Sequence, residues 1–282
     1  MKHKKVMKNK LIIIICLLAS CTSPKKGLKI TYLANCGFMF ENQSKKILID
    51  PFGTKYGDLF YLPTSDIQTN IGTGSIPFND INLVLITHIH GDHFNPFLAE
   101  KFLQNNKHAK MICPPQVFNQ IKDSCQNWKQ IESQIISPQI SRFNLEKMTV
   151  NGIPLKVLRM QHGTDRSLEG IEYVNYTDYE KIENFGYVMD LNDKVVFHQG
   201  DGCLKINEKI LNQLPPKIDI AHLGFFDWDT ISYNLLKEKL QPENIIFMHG
   251  TKLGEELQNK DFKSIETNLI FFKHELESKY FE

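Results

Sequence analysis

The chain has 282 residues, 41% hydrophobic and 23% charged, a composition that excludes disordered, collagen-like and coiled-coil chains and implies a sizeable core. The whole-chain charge of +1 hides an asymmetry, because residues 1–20 hold five lysines and no acid, leaving 28 basic against 32 acidic residues in the rest, a net of −4. Such a body has no general attraction for polyphosphate, so a nucleic-acid partner is not expected.

In chain order, the first element is an address. Lys2, Lys4, Lys5, Lys8 and Lys10 precede Leu11 to Leu18, an apolar run of eight residues followed by small ones, the order of a secretory signal. The run is too short for a membrane-spanning helix, which takes about 20 residues. The junction Leu18-Ala19-Ser20-Cys21 resembles the lipobox of bacterial lipoproteins. That resemblance implies a signal peptide over 1–20, diacylglycerol on Cys21, a lipidated tether over 21–27, and one body over 28–282. An exported, membrane-anchored protein is then expected, facing the periplasm or the cell surface. Thr22, following the lipidated cysteine, resembles lipoproteins sent to an outer membrane. Four cysteines remain in the body: Cys36, Cys113, Cys125 and Cys203. Cys113 with Cys125 is the favoured pair if a disulfide forms, and free buried thiols are the equal alternative. No CxxC pair points to a cysteine zinc site.

Short β-branched and aromatic runs predict strands at Lys29 to Leu33, Phe38 to Glu41, Lys46 to Asp50, Leu83 to Thr87, Lys110 to Cys113 and Leu155 to Met160. Further strands are predicted at Tyr187 to Leu191, Lys194 to His198, Ile218 to His222 and Asn244 to Met248. Asn151-Gly152 and Asn192-Asp193 read as hairpin turns. Helices are predicted over Pro96 to Gln104, Pro115 to Lys129, Leu204 to Leu214 and Thr230 to Leu240. Strands followed by strand-helix units, twice over, suggest an α/β protein of two packed sheets with helices outside. Phe52 to Asn79 reads as one long irregular tract, with Gly53, Gly57, Gly72 and Gly74 and, toward its start, the aromatics Phe52, Tyr56, Phe60 and Tyr61.

The chemistry concentrates after the strand Leu83-Val84-Leu85-Ile86, where Thr87-His88-Ile89-His90-Gly91-Asp92-His93 places three imidazoles and a carboxylate within six residues. In extended chain His88 and His90 point the same way and can share one ion, while Asp92 and His93, beyond the turn, can face a second. This all-nitrogen-and-oxygen set suits zinc, iron or manganese and discourages a soft-metal site. The alternative is a solvated polar turn.

His-x-His-x-Asp-His at the end of a buried strand resembles the signature of the metallo-β-lactamase superfamily, which implies a four-layer αββα sandwich with a metal site along one edge. The resemblance extends in order over Lys29 to Thr251. It implies that Asp50 supports the site from behind, and that His162 joins His88 and His90 on the first ion. It further implies that Asp201, in His198-Gln199-Gly200-Asp201-Gly202, bridges two ions, and that His249 joins Asp92 and His93 on the second. Leu48-Ile49-Asp50-Pro51-Phe52 and the turn around Asp201 are most similar to the branch of ascorbate-6-phosphate lactonase-like and N-acylphosphatidylethanolamine phospholipase D-like hydrolases. True β-lactamases carry a cysteine where this chain has Asp201, and Cys203 reads as a packed thiol.

The expected cofactor is two divalent ions per chain, zinc first, with manganese or iron as alternatives. Such a pair lowers the pKa of a shared water and lets hydroxide attack a carbonyl or phosphoryl centre. Asp92, Asp201 and His198 are the residues expected to take part, His198 either as an acid for the leaving group or as a bond that holds the metal loop. The substrate is expected to be a small molecule or lipid bearing a phosphodiester, ester or lactone. The alternative is a metal- or solute-binding lipoprotein without activity. His222 is a weaker candidate for the site wall, His108 and His274 read as surface residues, and Arg166 and Lys252 as solvated charges. Phe225, Phe226, Trp228 and Tyr233 read as core ahead of a pocket lining, and Met148, Met160 and Met248 as fillers of gaps in the sheets.

Overall fold

The structure, a computed structural model, describes residues 27–42, 45–54, 60–163, 181–191, 194–249 and 268–282. The predicted signal peptide, Cys21 and Thr22, Tyr56, Gly57, Arg166, Asn192-Asp193 and Lys252 lie outside these residues. Among the described residues no helix is long and apolar enough to cross a membrane.

The first sheet is built from β1 (Leu28–Ala34), β2 (Gly37–Asn42), β3 (Lys45–Ile49), β4 (Leu83–Leu85), β5 (Lys110–Ile112) and β6 (Ile135–Ile136). The second takes β7 (Leu145–Val150), β8 (Ile153–Gln161), β9 (Glu183–Asp190), β10 (Val195–His198), β11 (Ile220–Leu223), β12 (Asn244–Phe247) and β13 (Asn268–Ile270). The last strand, β14 (Ser278–Phe281), returns to the first sheet, whose order is β14-β1-β2-β3-β4-β5-β6, against β13-β12-β11-β10-β9-β8-β7 for the second. Strands β3 to β6 are parallel, as are β10 to β13, and the remaining pairs are antiparallel.

Period-two alternation sorts the side chains into layers. Leu83 and Leu85 enter the core between the sheets while Val84 and Ile86 enter the layer under the helices of the first sheet. On β12 and just past it, Ile246 and Met248 face the other sheet, and Ile245 and Phe247 face the outer helix layer. Phe38, Phe40, Phe185 and Tyr187 fill the middle layer, and burying each is worth roughly 1.5–3 kcal/mol. Helices α1 (Ser65–Thr73), α2 (Pro96–Asn105), α3 (Pro115–Ser124) and α4 (Trp128–Ile131) cover the first sheet, and α5 (Glu208–Leu211) and α6 (Thr230–Leu240) the second. The result is the four-layer αββα sandwich.

Helices α2 and α6 start where their caps stand: Asn95 accepts from the Phe97 and Leu98 amides, and Asp229 from Ile231 and Ser232. Elsewhere the predicted elements need correction. The tract over 52–79 contains α1, which buries only Ile67, Ile71 and Gly72 and so shows too thin an apolar stripe to stand out. The helix predicted over 115–129 breaks at Cys125, which is extended and donates its thiol to the Pro96 carbonyl at 3.3 Å. The helix predicted over 204–214 shrinks to α5, because the Asn207 side chain bonds the backbone of Gln161 and Cys203 instead of leaving it to a helix. Strands β6, β7, β13 and β14 were not predicted, and the half-exposed faces of the last three lack the apolar density that marks the others. Asn151 and Gly152 do form the β7–β8 turn, both at positive φ. Cys113 and Cys125 are free thiols, as are Cys36 and Cys203, so the favoured disulfide does not form.

Candidate metal centre

Because β8 and β10 both run antiparallel to β9, and β10 to β12 are parallel, strands β8, β10 and β12 end on the same side of the second sheet. His162, Asp201 and His249 follow those three ends. The first sheet brings the segment after β4 to the same edge, held by two bonds from β9: the Tyr187 hydroxyl donates to the Ile86 carbonyl at 2.6 Å, and the Phe185 amide to the Thr87 carbonyl at 2.8 Å.

There the candidate ligands form two groups that share Asp201. In one, His88, His90, His162 and Asp201 each offer a donor atom, all within 4.8 Å of one another. His88 Nε2 is 2.9 Å from His90 Nδ1, and Asp201 Oδ2 lies 3.7 Å from His88 Nε2 and 3.5 Å from His162 Nε2. In the other, Asp201 Oδ1 lies 2.7 Å from His249 Nε2 and 3.4 Å from His93 Nε2, and the fourth donor within 4.8 Å is the thiol of Cys36. Asp92, expected in this second set, is buried beside it with Oδ2 3.4 Å from His93 Nε2, but that oxygen also accepts from Asn35 Nδ2 at 3.0 Å.

Supporting bonds aim the rings. Asp50 accepts from the Thr87 amide at 2.8 Å, the Thr87 hydroxyl at 2.6 Å and His93 Nδ1 at 2.7 Å, leaving His93 Nε2 turned to the site. His162 Nδ1 donates to the Gly163 carbonyl at 2.9 Å, which frees its Nε2 for the same purpose. The Asp201 amide donates to Asn184 Oδ1 at 3.0 Å, and Asn184 donates back to the Gln199 carbonyl at 3.0 Å. Gly200 has φ +58°, and a Cβ there would stand 2.6 Å from Asn184 Oδ1. Buried Asp227 clamps the far side of the turn, accepting from the Leu204 amide, the Gln199 side chain and the Ser232 hydroxyl. Asp50 and His249 themselves hold left-handed backbone, at φ +43° and +58°, a strain typical of functional sites.

The charges fit a cation. Burial pushes the pKa of His88 well below the usual imidazole value, with His93 adding to the effect; burial and then His162 push His90 down to about 4. Burial also opposes charge on His93, but Asp201, Asp92 and Asp50 outweigh it and hold its pKa well above the ordinary value. Asp201 is the mirror case: burial works against its ionisation, and His249, His93 and His88 overcome that and hold it well below the carboxylate range. Buried anions of this density need positive charge beside them, and the buried His93 Nε2 and Asp92 Oδ1 make no hydrogen bond. Imidazole and carboxylate donors are what divalent zinc, iron or manganese takes.

Other expected residues stand elsewhere. His198 is fully buried, with Nδ1 accepting from the Gly200 amide at 3.2 Å and Nε2 3.4 Å from the Cys36 carbonyl; burial lowers its pKa to about 4. It is neutral near pH 7 and engaged with backbone at both nitrogens, which suits holding two turns together and not donating a proton to a leaving group. His222 is fully buried, its ring meeting those of Phe38 and Phe40 edge-on at 4.8 and 5.4 Å in the core, and not on the site wall. His108 and His274 are exposed. Phe226, Trp228 and Tyr233 are buried under the outer helix layer, although the Phe226 ring also meets His162 edge-on at 5.6 Å. Cys203 donates to Asp227 at 3.5 Å, away from both groups. No local motif in the sequence marks Cys36, Asn35, Asn184 or Asp227.

The family described as beta-lactamase superfamily domain matches residues 29–249. A relative from Pyrococcus horikoshii named a UPF0173 metal-dependent hydrolase is 25% identical over 225 residues, covering 79% of this chain and 84% of its own length. One of the same name from Carboxydothermus hydrogenoformans is 26% identical over 225 residues, with coverages of 79% and 84%. Among solved structures, Igni18, a metallo hydrolase from Ignicoccus hospitalis, superposes with a TM-score of 0.60 at 19% identity, over 91% of this chain and 99% of that one. The chain therefore belongs to the metallo-β-lactamase superfamily and is a metal-dependent hydrolase.

Proposed function

We propose that this chain is a dinuclear hydrolase acting on a phosphodiester, ester or lactone, tethered to a membrane through lipidated Cys21. The observation that carries the dinuclear reading is the division of Asp201, with Oδ2 toward His88 and His162 and Oδ1 toward His93 and His249. A divalent pair supplies a water made acidic near neutral pH and polarises the electrophile's oxygen. The chain does the rest. Asp50 and the Gly163 carbonyl fix which nitrogen of His93 and His162 faces inward, and the Asn184 and Asp227 bonds hold the Asp201 turn still. Preorganisation of this kind is what lets a site act without reorganising during the reaction.

Aromatic rings stand at both ends of the centre: Phe226 against His162 at 5.6 Å and Phe60 against His249 at 5.0 Å. Such walls favour a substrate with an apolar portion, which together with the expected membrane tether places a phospholipid-like phosphodiester slightly ahead of a lactone. β-Lactams rank well behind, given Asp201 in place of cysteine. The test is a zinc-replete preparation assayed on phosphodiesters, lactones, simple esters and nitrocefin. Turnover of one of the first three supports the reading; efficient turnover of nitrocefin alone overturns it, and two tightly held ions with no turnover would favour the metal-binding alternative. For the tether, Cys21→Ser should abolish lipid labelling and release the protein from membranes. Unchanged retention would sink that part.

A further inference from the structure

A tight hairpin turn ordinarily meets solvent, yet the β1–β2 turn of Asn35 and Cys36 is buried, Cys36 completely. The turn is pressed into the metal centre. The Asn35 carbonyl accepts from the His249 amide at 3.2 Å, its side chain holds Asp92, and the Cys36 carbonyl lies against His198. Cys36 Sγ, His93, His249 and Asp201 place four donor atoms within 4.8 Å of one another. Ligand atoms about 2.0–2.3 Å from zinc stand roughly 3.3–3.8 Å apart at the corners of a tetrahedron. A contraction on the order of 1 Å would therefore close these four atoms on one ion.

Resting on the dinuclear reading above, we propose that the Cys36 thiolate is a direct ligand of the ion held by His93, His249 and Asp201. The surroundings separate this thiol from the others. Cys113 sits among apolar side chains under the helices, the ordinary place for a packed cysteine. Cys125 is tied to a backbone carbonyl and Cys203 to Asp227. Cys36 instead shares its space with two imidazoles and a carboxylate, and one of those imidazoles presents a buried Nε2 that makes no hydrogen bond. On binding, the S–H bond breaks, a sulfur–metal bond forms and the proton passes to solvent. Asp92, with Oδ2 engaged by Asn35, stands beside these four donors and is not one of them. A thiolate selects zinc or iron over manganese or magnesium, so this position should discriminate among metals while the position of His88, His90 and His162 stays permissive.

The test is zinc X-ray absorption on the detergent-solubilised full chain titrated with zinc to saturation, followed by visible spectra of the cobalt-loaded protein. With two zinc ions bound, a sulfur scatterer is expected at about 2.3 Å, at one sulfur per two zinc ions. Cobalt should give a thiolate charge-transfer band that disappears in Cys36→Ser and persists in Cys203→Ser. Two bound zinc ions with only nitrogen and oxygen neighbours would overturn the Cys36 assignment and leave the dinuclear reading standing. A single ion with a sulfur neighbour would do the reverse, and a single ion without sulfur would overturn both. The absorption measurement on the unmutated protein decides even if Cys36→Ser fails to fold.

Discussion

The two sheets supply the centre in opposite ways. The first contributes His88, His90, Asp92 and His93 from one short stretch after β4, whose shape is set by local turns such as the His93 and Phe94 amides bonding the His90 carbonyl. The second contributes His162, Asp201 and His249 from three separate strand ends, 39 and 48 residues apart in sequence. Nothing local joins these three; the common direction of β8, β10 and β12 does. Half of this centre is thus a local motif and half a consequence of sheet register. Asp201 is the hinge of the comparison, since its two oxygens face ligands from both halves.

The largest expected effect tests that hinge. Asp201→Ala should remove the shared carboxylate and reduce metal content at both positions, with hydrolysis falling roughly a thousandfold or more, since a bound metal is worth several kcal/mol to the transition state. Elemental analysis and assay of the purified variant check this. Full occupancy with full activity would mean that the two halves do not meet at this residue.

The next effect concerns the joint between the halves. His198 bonds the Gly200 amide in the second and lies against the Cys36 carbonyl in the first. Its pKa in the fold is lowered to about 4 from the ordinary 6.5 by burial. Between those values the unfolded chain binds a proton that the folded one refuses, so the stability from neutral His198 is present above pH 6.5 and is lost as pH falls toward 4. In chelator-treated protein, denaturant unfolding at pH 7 and pH 5 should show the wild type losing about 2 kcal/mol more than His198→Gln. Parallel losses would show that the joint does not titrate in this window.

The smallest effect sharpens the independence of the two positions. Asp50→Asn keeps the shape that receives Thr87 but removes the charge that orients His93 Nδ1. Metal affinity at the His93 position should fall about 10–100-fold, and the position of His88, His90 and His162 should change little, as read by competition with a chelator. Equal weakening at both would show that Asp50 supports the whole edge.

Much of this was visible in the chain itself. Unbroken apolar runs such as Leu83 to Ile86 announced strands because both faces of the sheet are buried. The cluster His88 to His93 announced a candidate metal site because donor side chains crowded into one turn are legible as a string of letters. α1 was hidden by its thin stripe, and the break at Cys125 by a bond to Pro96 that no periodicity reports. The layered architecture and the contiguous candidate ligands were legible in the order of residues, since they follow from the succession of elements and from adjacency. The distant groups that join them come together through long-range packing alone. Asp92 is drawn toward Asn35, Asp227 clamps the Asp201 turn, and the Cys36 thiol stands within 4.8 Å of His93, His249 and Asp201. The physical reason is that a β-hairpin turn 52 residues before the motif, counted from Cys36 to His88, is brought there by inter-strand register, a long-range pairing that leaves no local trace in the order of residues.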